Sequence, residues 1–320
     1  MYSQIAGTGS YLPEKVVTNH DLEHMMDTSD AWIRERTGIV RRHIVADSQS
    51  TVDLAEPAAR AAIAAAGLRP ADIDLIVFAT STPDCVFPNC GVLLQQRLGC
   101  FGGAAFSVEA ACSGFVYALS VADKFVKAGE SRHALVVGAE TMSRITDWTD
   151  RGTAVLFADG AGAIVLTGGS EPGVLSTHLH ADGSYKDLLY CPGGPGRRVD
   201  PVDESNSIRM AGSEVFKIAV INLGKAVDEA LAANGLTHAA VDWLVPHQAN
   251  IRIIQATARR LDLPLEKVIV TVQEHGNTST ASIPLALDVG VRDGRVKRGE
   301  LLLLEAFGGG FTWGSALIRY

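Results

Sequence analysis

No apolar run in this chain approaches the roughly 18 residues that a membrane-spanning helix needs, so a bilayer-spanning protein is not expected. Cysteine is sparse: Cys85, Cys90, Cys100, Cys112 and Cys191 are an odd number in 320 residues, and none is paired at C-x-x-C spacing. Neither a disulfide framework nor a zinc site follows from that pattern, and no metal is expected. Positive charge is not in excess, because 28 Lys and Arg face 36 Asp and Glu for a formal net charge of −8. Nonspecific nucleic-acid binding is therefore disfavoured, although a local basic patch remains compatible with that balance. A glycine-rich phosphate loop ending in Gly-Lys-Ser/Thr is missing, and the isolated Gly160-Ala-Gly162 is too short a signal for a dinucleotide. Met1–Gln4 leads directly into a strand-like Ile5–Gly9 without a basic-then-apolar leader, so a cytoplasmic protein in a reducing compartment is expected.

What is present is apolar bulk: 47% hydrophobic residues in a chain of this length bury a large core, in one large or two medium domains. The chain also repeats itself. Ala62-Ile-Ala-Ala-Ala-Gly67-Leu-Arg-Pro-Ala-Asp-Ile-Asp74-Leu-Ile-Val77 matches Ala230-Leu-Ala-Ala-Asn-Gly235-Leu-Thr-His-Ala-Ala-Val-Asp242-Trp-Leu-Val245 at a constant offset of 168. Each copy reads as helix, glycine stop, short linker and buried strand. A weaker echo pairs Gly160–Leu166 with Thr312–Ile318. Two similar α/β halves are expected, residues 1–172 and 173–320, meeting near Gly168–Gly173.

Apolar segments at Leu75–Thr80, Ala134–Gly138, Val155–Phe157, Val268–Val272 and Leu301–Glu305 lack polar alternation, as strands covered on both faces do. Helical patterns lie between several of them, which points to mostly parallel sheets sandwiched by helices. The Gly/Pro-rich segment beginning at Cys191-Pro-Gly-Gly-Pro-Gly-Arg-Arg198 reads as an exposed, mobile loop without a catalytic pattern.

Cys112 sits between a short apolar strand, Ala104–Val108, and a helical pattern that begins at Ser113 and stops at Gly129. Unpaired N–H groups and the positive end of the dipole at a helix N-terminus favour thiolate over thiol, so a nucleophile is expected there. Its alternative is the commoner one for a free cysteine, a small buried hydrophobe. Strand ends in open α/β sheets gather functional residues. The segment Asp242–Val245 is followed by His247, Val268–Val272 by His275-Gly276-Asn277, and Leu301–Leu304 by Phe307-Gly-Gly-Gly310. Singly, each reads as well as a structural histidine, a turn or a hinge. Jointly they supply a nucleophile, a neutral imidazole, an amide donor and bare backbone N–H groups, an inventory suited to thioester chemistry.

Ordered matches run through the whole chain: Gly7-Thr-Gly-Ser-Tyr-Leu-Pro13, Asp30-Ala-Trp32-Ile-Arg-Glu-Arg36-Thr-Gly38, Ala111-Cys112-Ser-Gly-Phe115, Asp150-Arg151-Gly152-Thr153, Phe157-Ala-Asp-Gly-Ala-Gly162, His178-Leu-His180-Ala-Asp-Gly183, Pro246-His247-Gln-Ala-Asn250, His275-Gly-Asn277-Thr-Ser and Phe307-Gly-Gly-Gly310-Phe-Thr-Trp-Gly314. On these the chain resembles β-ketoacyl-[acyl carrier protein] synthase III, the initiating condensing enzymes of type II fatty acid synthesis. Ser113 departs from the alanine of many relatives. The resemblance implies a thiolase-like, five-layered α-β-α-β-α fold built from two duplicated halves. It implies Cys112, His247 and Asn277 as the catalytic set, with the backbone N–H groups of Cys112 and Gly309 as the oxyanion hole. It also implies substrate contacts from Trp32 and Arg151 on the CoA adenine and from Arg36, Phe157, Met210, Phe216 and Asn250 along the channel. Lys217, Arg252 and Arg259, with Arg260 nearby, are implied to meet an acidic carrier protein. Phe87 is implied to cross the interface of a homodimer. Acetyl-CoA and malonyl-[acyl carrier protein] are the implied substrates, and no cofactor is expected because the CoA thioester is itself consumed. The rivals are a related synthase with a different primer or acceptor, a cysteine hydrolase, and a noncatalytic CoA- or carrier-binding module.

Overall fold

The computed structural model describes residues 1–196 and 206–320. In the first half, strands β1 (Tyr2–Tyr11), β2 (Lys15–Thr18), β3 (Arg41–Ile44), β4 (Leu75–Ala79), β5 (Ala104–Val108), β6 (His133–Thr141) and β7 (Asp159–Gly169) alternate with helices α1 (Asn19–Glu23), α2 (Asp30–Thr37), α3 (Thr51–Ala65), α4 (Cys90–Leu98), α5 (Gly114–Ala128) and α6 (Arg151–Ala154). The second half contains β8 (Val174–Ala181), β9 (Leu189–Tyr190), β10 (Arg209–Met210), α7 (Gly212–Ala233), β11 (Trp243–Pro246), α8 (Ile251–Arg260), α9 (Val272–His275), α10 (Ser282–Arg292), β12 (Leu301–Gly308) and β13 (Thr312–Arg319).

Two mixed sheets form, with strand orders β1-β7-β6-β4-β5 and β11-β12-β13-β8. Only β4 with β5 and β6, and β11 with β12, pair in parallel; the outer pairs are antiparallel. The sheets are thus less parallel than the apolar runs suggested. Helices α3 and α4 cover the outer face of the first sheet, α7 and α8 that of the second, and α5 and α10 lie between the sheets. This is the five-layered α-β-α-β-α order. The middle layer is dry: Phe115, Val116, Leu119 and Val126 of α5 and Ile283, Ala286 and Leu287 of α10 share one buried cluster with both sheets.

The internal repeat is structural. The turns at Pro70–Asp72 and His238–Ala240, and the left-handed glycines Gly67 (φ 69°) and Gly235 (φ 63°), occupy matching places. Register repeats too, since β4 pairs with β6 at Leu75↔Ala134 and β11 with β12 at Trp243↔Leu302. The weaker echo also holds, with Glu140↔Gly160 between β6 and β7 and Gly308↔Thr312 between β12 and β13.

Two expected strands are not strands. Val155–Phe157 leaves α6 in a turn, with the Leu156 N–H on the Thr153 carbonyl, and touches its neighbour only through an isolated Phe157↔Asn277 bridge. Val268–Val272 makes a single Leu244↔Val268 bridge. There the Gln248 side chain takes the ladder's place: its Oε1 accepts the N–H groups of Thr271 and Val272, and its Nε2 donates to the Ile269 carbonyl. A local apolar pattern carries no sign of that long-range capture. Of the Gly/Pro-rich loop, Cys191–Gly196 is irregular chain, while Arg197, Arg198 and the rest of residues 197–205 lie outside the described residues. Among the described residues no helix is long and apolar enough to cross a membrane.

Candidate active site

Cys112 occupies a tight 3-10 turn, Ala111–Ser113, immediately before α5. The turn is held by long-range bonds. Thr312 Oγ1 donates to the Ala110 carbonyl at 2.9 Å, and Ser113 Oγ donates to the Thr312 carbonyl at 2.9 Å. The departure at Ser113 therefore ties the nucleophile's turn to β13. Ala111 is left-handed, with φ 45°, a strain that the surrounding bonds must hold. Gly308 makes the close approach possible, because a Cβ there would stand 2.7 Å from the Cys112 nitrogen. Gly309 lies next to it, and a Cβ on it would stand 3.7 Å from Ala111 Cβ.

Desolvation works against the thiolate expected at Cys112. Burial pushes the Cys112 thiol up to about 12, a hydrogen bond from Ser279 opposes this, and the charges of Glu140 and Glu109 add to the rise. The helix-end argument counted one favourable field and left out desolvation, which for a buried sulfur acts against it.

His247 follows β11, where its N–H donates to the Glu305 carbonyl at 2.8 Å. Its Nδ1 lies 2.6 Å from Ser282 Oγ, and that hydroxyl oxygen also accepts the Gln248 N–H at 3.2 Å. The serine hydroxyl still has its proton and a second lone pair, so the contact fits either ring tautomer; with the Ser282 proton on Nδ1, Nε2–H is a donor. Burial pushes this imidazole down to about 3, so it is neutral.

Asn277 is clamped by its backbone, its N–H on the Leu156 carbonyl and its carbonyl under the Ala158 N–H. Its Oδ1 accepts the Ser279 N–H at 2.9 Å, which leaves Nδ2 to donate. Gly276 before it has φ 68°, and a Cβ there would stand 2.9 Å from Ala158 Cβ.

One cavity of about 530 Å³ gathers Cys112, His247 and Asn277 with Trp32, Arg36, Phe157, Met210, Phe216, Lys217, Asn250 and Arg252. Asn250 has a further duty, since its Oδ1 caps α8 by accepting the N–H groups of Arg252 and Ile253. Arg151 is not in the lining. Its guanidinium lies 4.7 Å from the Trp32 ring centroid and donates to the Asp27 carbonyl, so the slot expected for a purine is closed by Arg151 itself. Lys217 and Arg252 stand exposed on the cavity's lining; Arg259 lies outside it on the exposed face of α8, and Arg260 is tied to Asp228 at 2.8 Å. Phe87 is also outside the cavity and is 83% exposed, beside Val86 at 70%.

Several residues of this site had no sequence signal of their own. Ser279 and Ser282 are ordinary small residues until the chain folds them against Cys112, Asn277 and His247. Glu140 and Glu305 follow apolar runs within β6 and β12, a place where an acid is conspicuous, but their burial is tertiary. Glu305 lines the cavity with both carboxylate oxygens unpartnered, and burial pushes it up to about 8.

Family models described as 3-oxoacyl-[acyl-carrier-protein] synthase III match residues 106–183, and as that family's C-terminal region residues 231–320. The β-ketoacyl-[acyl-carrier-protein] synthase III of Alkalilimnicola ehrlichii is 63% identical over 321 residues, covering 100% of this chain and 99% of its own. Among solved structures, 3-oxoacyl-[acyl-carrier-protein] synthase III from Aquifex aeolicus is 46% identical with a TM-score of 0.94, covering 99% of this chain and 100% of its own. The priming β-ketosynthase of the R1128 polyketide pathway is 38% identical with a TM-score of 0.95, covering 99% and 96%.

Proposed function

The chain belongs to the β-ketoacyl-[acyl carrier protein] synthase III family, and from that premise we propose that Cys112, His247 and Asn277 carry a two-stage condensation in the shared cavity. The protein is an acyltransferase, the condensing enzyme that initiates fatty acid synthesis. It takes an acyl-CoA and a malonyl-loaded carrier protein, and the reading adds acetyl-CoA as primer and a homodimer as the working form.

In the first stage the Cys112 sulfur attacks the acyl-CoA carbonyl. The backbone N–H groups of Cys112 and Gly309 receive the oxyanion, and CoA leaves as the thiol. In the second, the malonyl thioester oxygen lies between Nε2–H of His247 and Nδ2–H of Asn277. Loss of CO₂ then places an enolate against two donors, and its carbon attacks the acyl group on Cys112. The sulfur leaves as thiolate and takes up one proton per turnover. The observation that carries the assignment is that a neutral imidazole, its Nδ1 held by Ser282, and a carboxamide whose oxygen accepts the Ser279 N–H line the same cavity as the thiol. Donors without competing acceptors suit an enolate.

A cysteine hydrolase would need His247 as a base. Burial that holds the ring neutral down to about 3 opposes that role. Incubation with acetyl-CoA followed by peptide mapping should place one acetyl group on the Cys112 peptide of the wild type and none on Cys112→Ala. Label on any other residue refutes the assignment, and a panel of branched and longer acyl-CoA esters defines the primer.

A further inference from the structure

Strand β6 offers two residues to the turn that supports Asn277, and the mechanism above uses neither. Gly138 and Glu140 lie two apart on the strand and so share a face. A Cβ on Gly138 would stand 2.5 Å from the Thr280 carbonyl oxygen, so only glycine lets the turn Ser279–Ala281 pack against β6. Glu140 then fastens that turn, because Ser279 Oγ donates to its Oε1 at 3.1 Å. The rest of the carboxylate is held from the first half: Thr82 Oγ1 donates at 2.6 Å, Thr80 Oγ1 at 3.2 Å and the Ser81 N–H at 3.1 Å. Thr82 is itself tied down, its hydroxyl accepting the Thr141 N–H at 2.9 Å and its carbonyl accepting Thr51 Oγ1 at 2.6 Å. Glu140 is thus a fixed, fully buried post to which one serine of the other half is attached.

Ser279 needs such an attachment. Its φ is 50°, a left-handed conformation that disfavours any residue with a Cβ and persists only where the surroundings over-determine it. Two bonds flank that angle, the hydroxyl on Glu140 and the N–H on Asn277 Oδ1 at 2.9 Å. The second bond bears on the chemistry. Half a turn about the terminal torsion of a carboxamide exchanges its oxygen for its nitrogen, and a backbone N–H facing one side admits only the oxygen there. Nδ2 of Asn277 is then left for the cavity. Were Ser279 to leave its left-handed conformation, that N–H would swing away, and the amide could turn its oxygen toward an enolate that repels it.

We propose that Glu140 is a positioning residue for Asn277, holding Ser279 left-handed through its hydroxyl so that the Ser279 N–H keeps the amide nitrogen turned into the cavity. This rests on Asn277 being a donor to the enolate. It gives the first half a part in the second stage, through two hydrogen bonds and without contact with substrate.

The test separates conformation from bulk. Ser279→Gly and Ser279→Ala both lose the hydroxyl, with any effect it has on the sulfur, and both keep the N–H; only glycine takes the left-handed conformation without strain. Enzyme acetylated beforehand at Cys112 is mixed with malonyl-carrier protein, and loss of the acetyl group in a single turnover is read by intact mass. Transfer should be about tenfold slower in Ser279→Ala than in Ser279→Gly. Lost packing alone predicts the reverse order, because glycine removes more atoms, so equal or reversed rates overturn the proposal. Glu140→Gln, whose amide can still hydrogen-bond the Ser279 hydroxyl, should transfer several-fold faster than Glu140→Ala, and equal rates there overturn it too. Should Glu140→Ala show no cooperative melting transition, the Ser279 pair decides alone. In an Asn277→Ala background these substitutions should cost nothing further, and an added loss would mean that they act elsewhere. An Asn277→Ala enzyme that transfers at the wild-type rate, or wild-type acetyl found away from Cys112, overturns the underlying site reading instead, which separates the two failures.

Discussion

The two halves place equivalent strands in equivalent registers, and at the matching positions they carry opposite kinds of side chain. By the 168-residue offset, His247 beyond β11 corresponds to Ala79 at the end of β4, and Glu140 at the end of β6 corresponds to Gly308 at the end of β12. Where one half has a large polar group, the other has a methyl group or a hydrogen. The reason is steric. Both copies converge on a single sulfur, and Gly308 must let the Cys112 nitrogen come within 2.7 Å of where its Cβ would be. A duplicated scaffold with one shared centre has room for each functional group once.

The comparison also separates the chemistry. In the proposed reading the second half supplies the donors, His247 and Asn277, and the first supplies the nucleophile, all on one cavity. The largest expected effect tests that division. His247→Ala or Asn277→Ala should lower condensation with malonyl-carrier protein by about a hundredfold to a thousandfold, yet leave Cys112 acetylation by acetyl-CoA measurable in the intact mass. Equal losses in both stages would erase the distinction between the halves.

A smaller effect should come from the rim. Reversing charge with Lys217→Glu or Arg252→Glu should raise KM for the carrier protein several-fold, more at low salt than at high, without slowing acylation from CoA. Steady-state kinetics at two ionic strengths reads this directly. A rise in the acyl-CoA KM alone would move those residues to the other substrate.

The smallest effect concerns stability. Glu305 rises from an ordinary carboxyl to about 8 on folding, so its contribution is fully present below about 4.5 and is lost as pH climbs toward 8. His247 has the opposite sign: lowered from 6.5 to about 3, it contributes above 6.5 and loses that contribution as pH falls toward 3. Glu305→Gln should therefore flatten the fall in melting temperature between pH 5 and 8.5 and leave the acid side unchanged. An unaltered profile would mean that Glu305 does not titrate in that window.

Much of this was legible in one dimension. The repeat, the end of α5 at Gly129, the strand Ala104–Val108 and the ordered motifs around Cys112, His247 and Asn277 are local patterns, and local patterns survive in sequence. Val155–Phe157 and Val268–Val272 misled because apolar residues look alike whether their backbone groups pair with a strand or are taken by Thr153, Asn277 and Arg42 or by the side chain of Gln248.

By itself, the sequence determined the layered architecture and the candidates for the reacting groups, since apolar periodicity, glycine stops and residue chemistry are properties of neighbours along the chain. Only the tertiary structure decided their protonation and direction. The directions in which Cys112 and His247 are shifted, and the groups that hold their side chains, depend on burial and on bonds between residues far apart in sequence, and a dielectric environment exists only once the chain has closed around it.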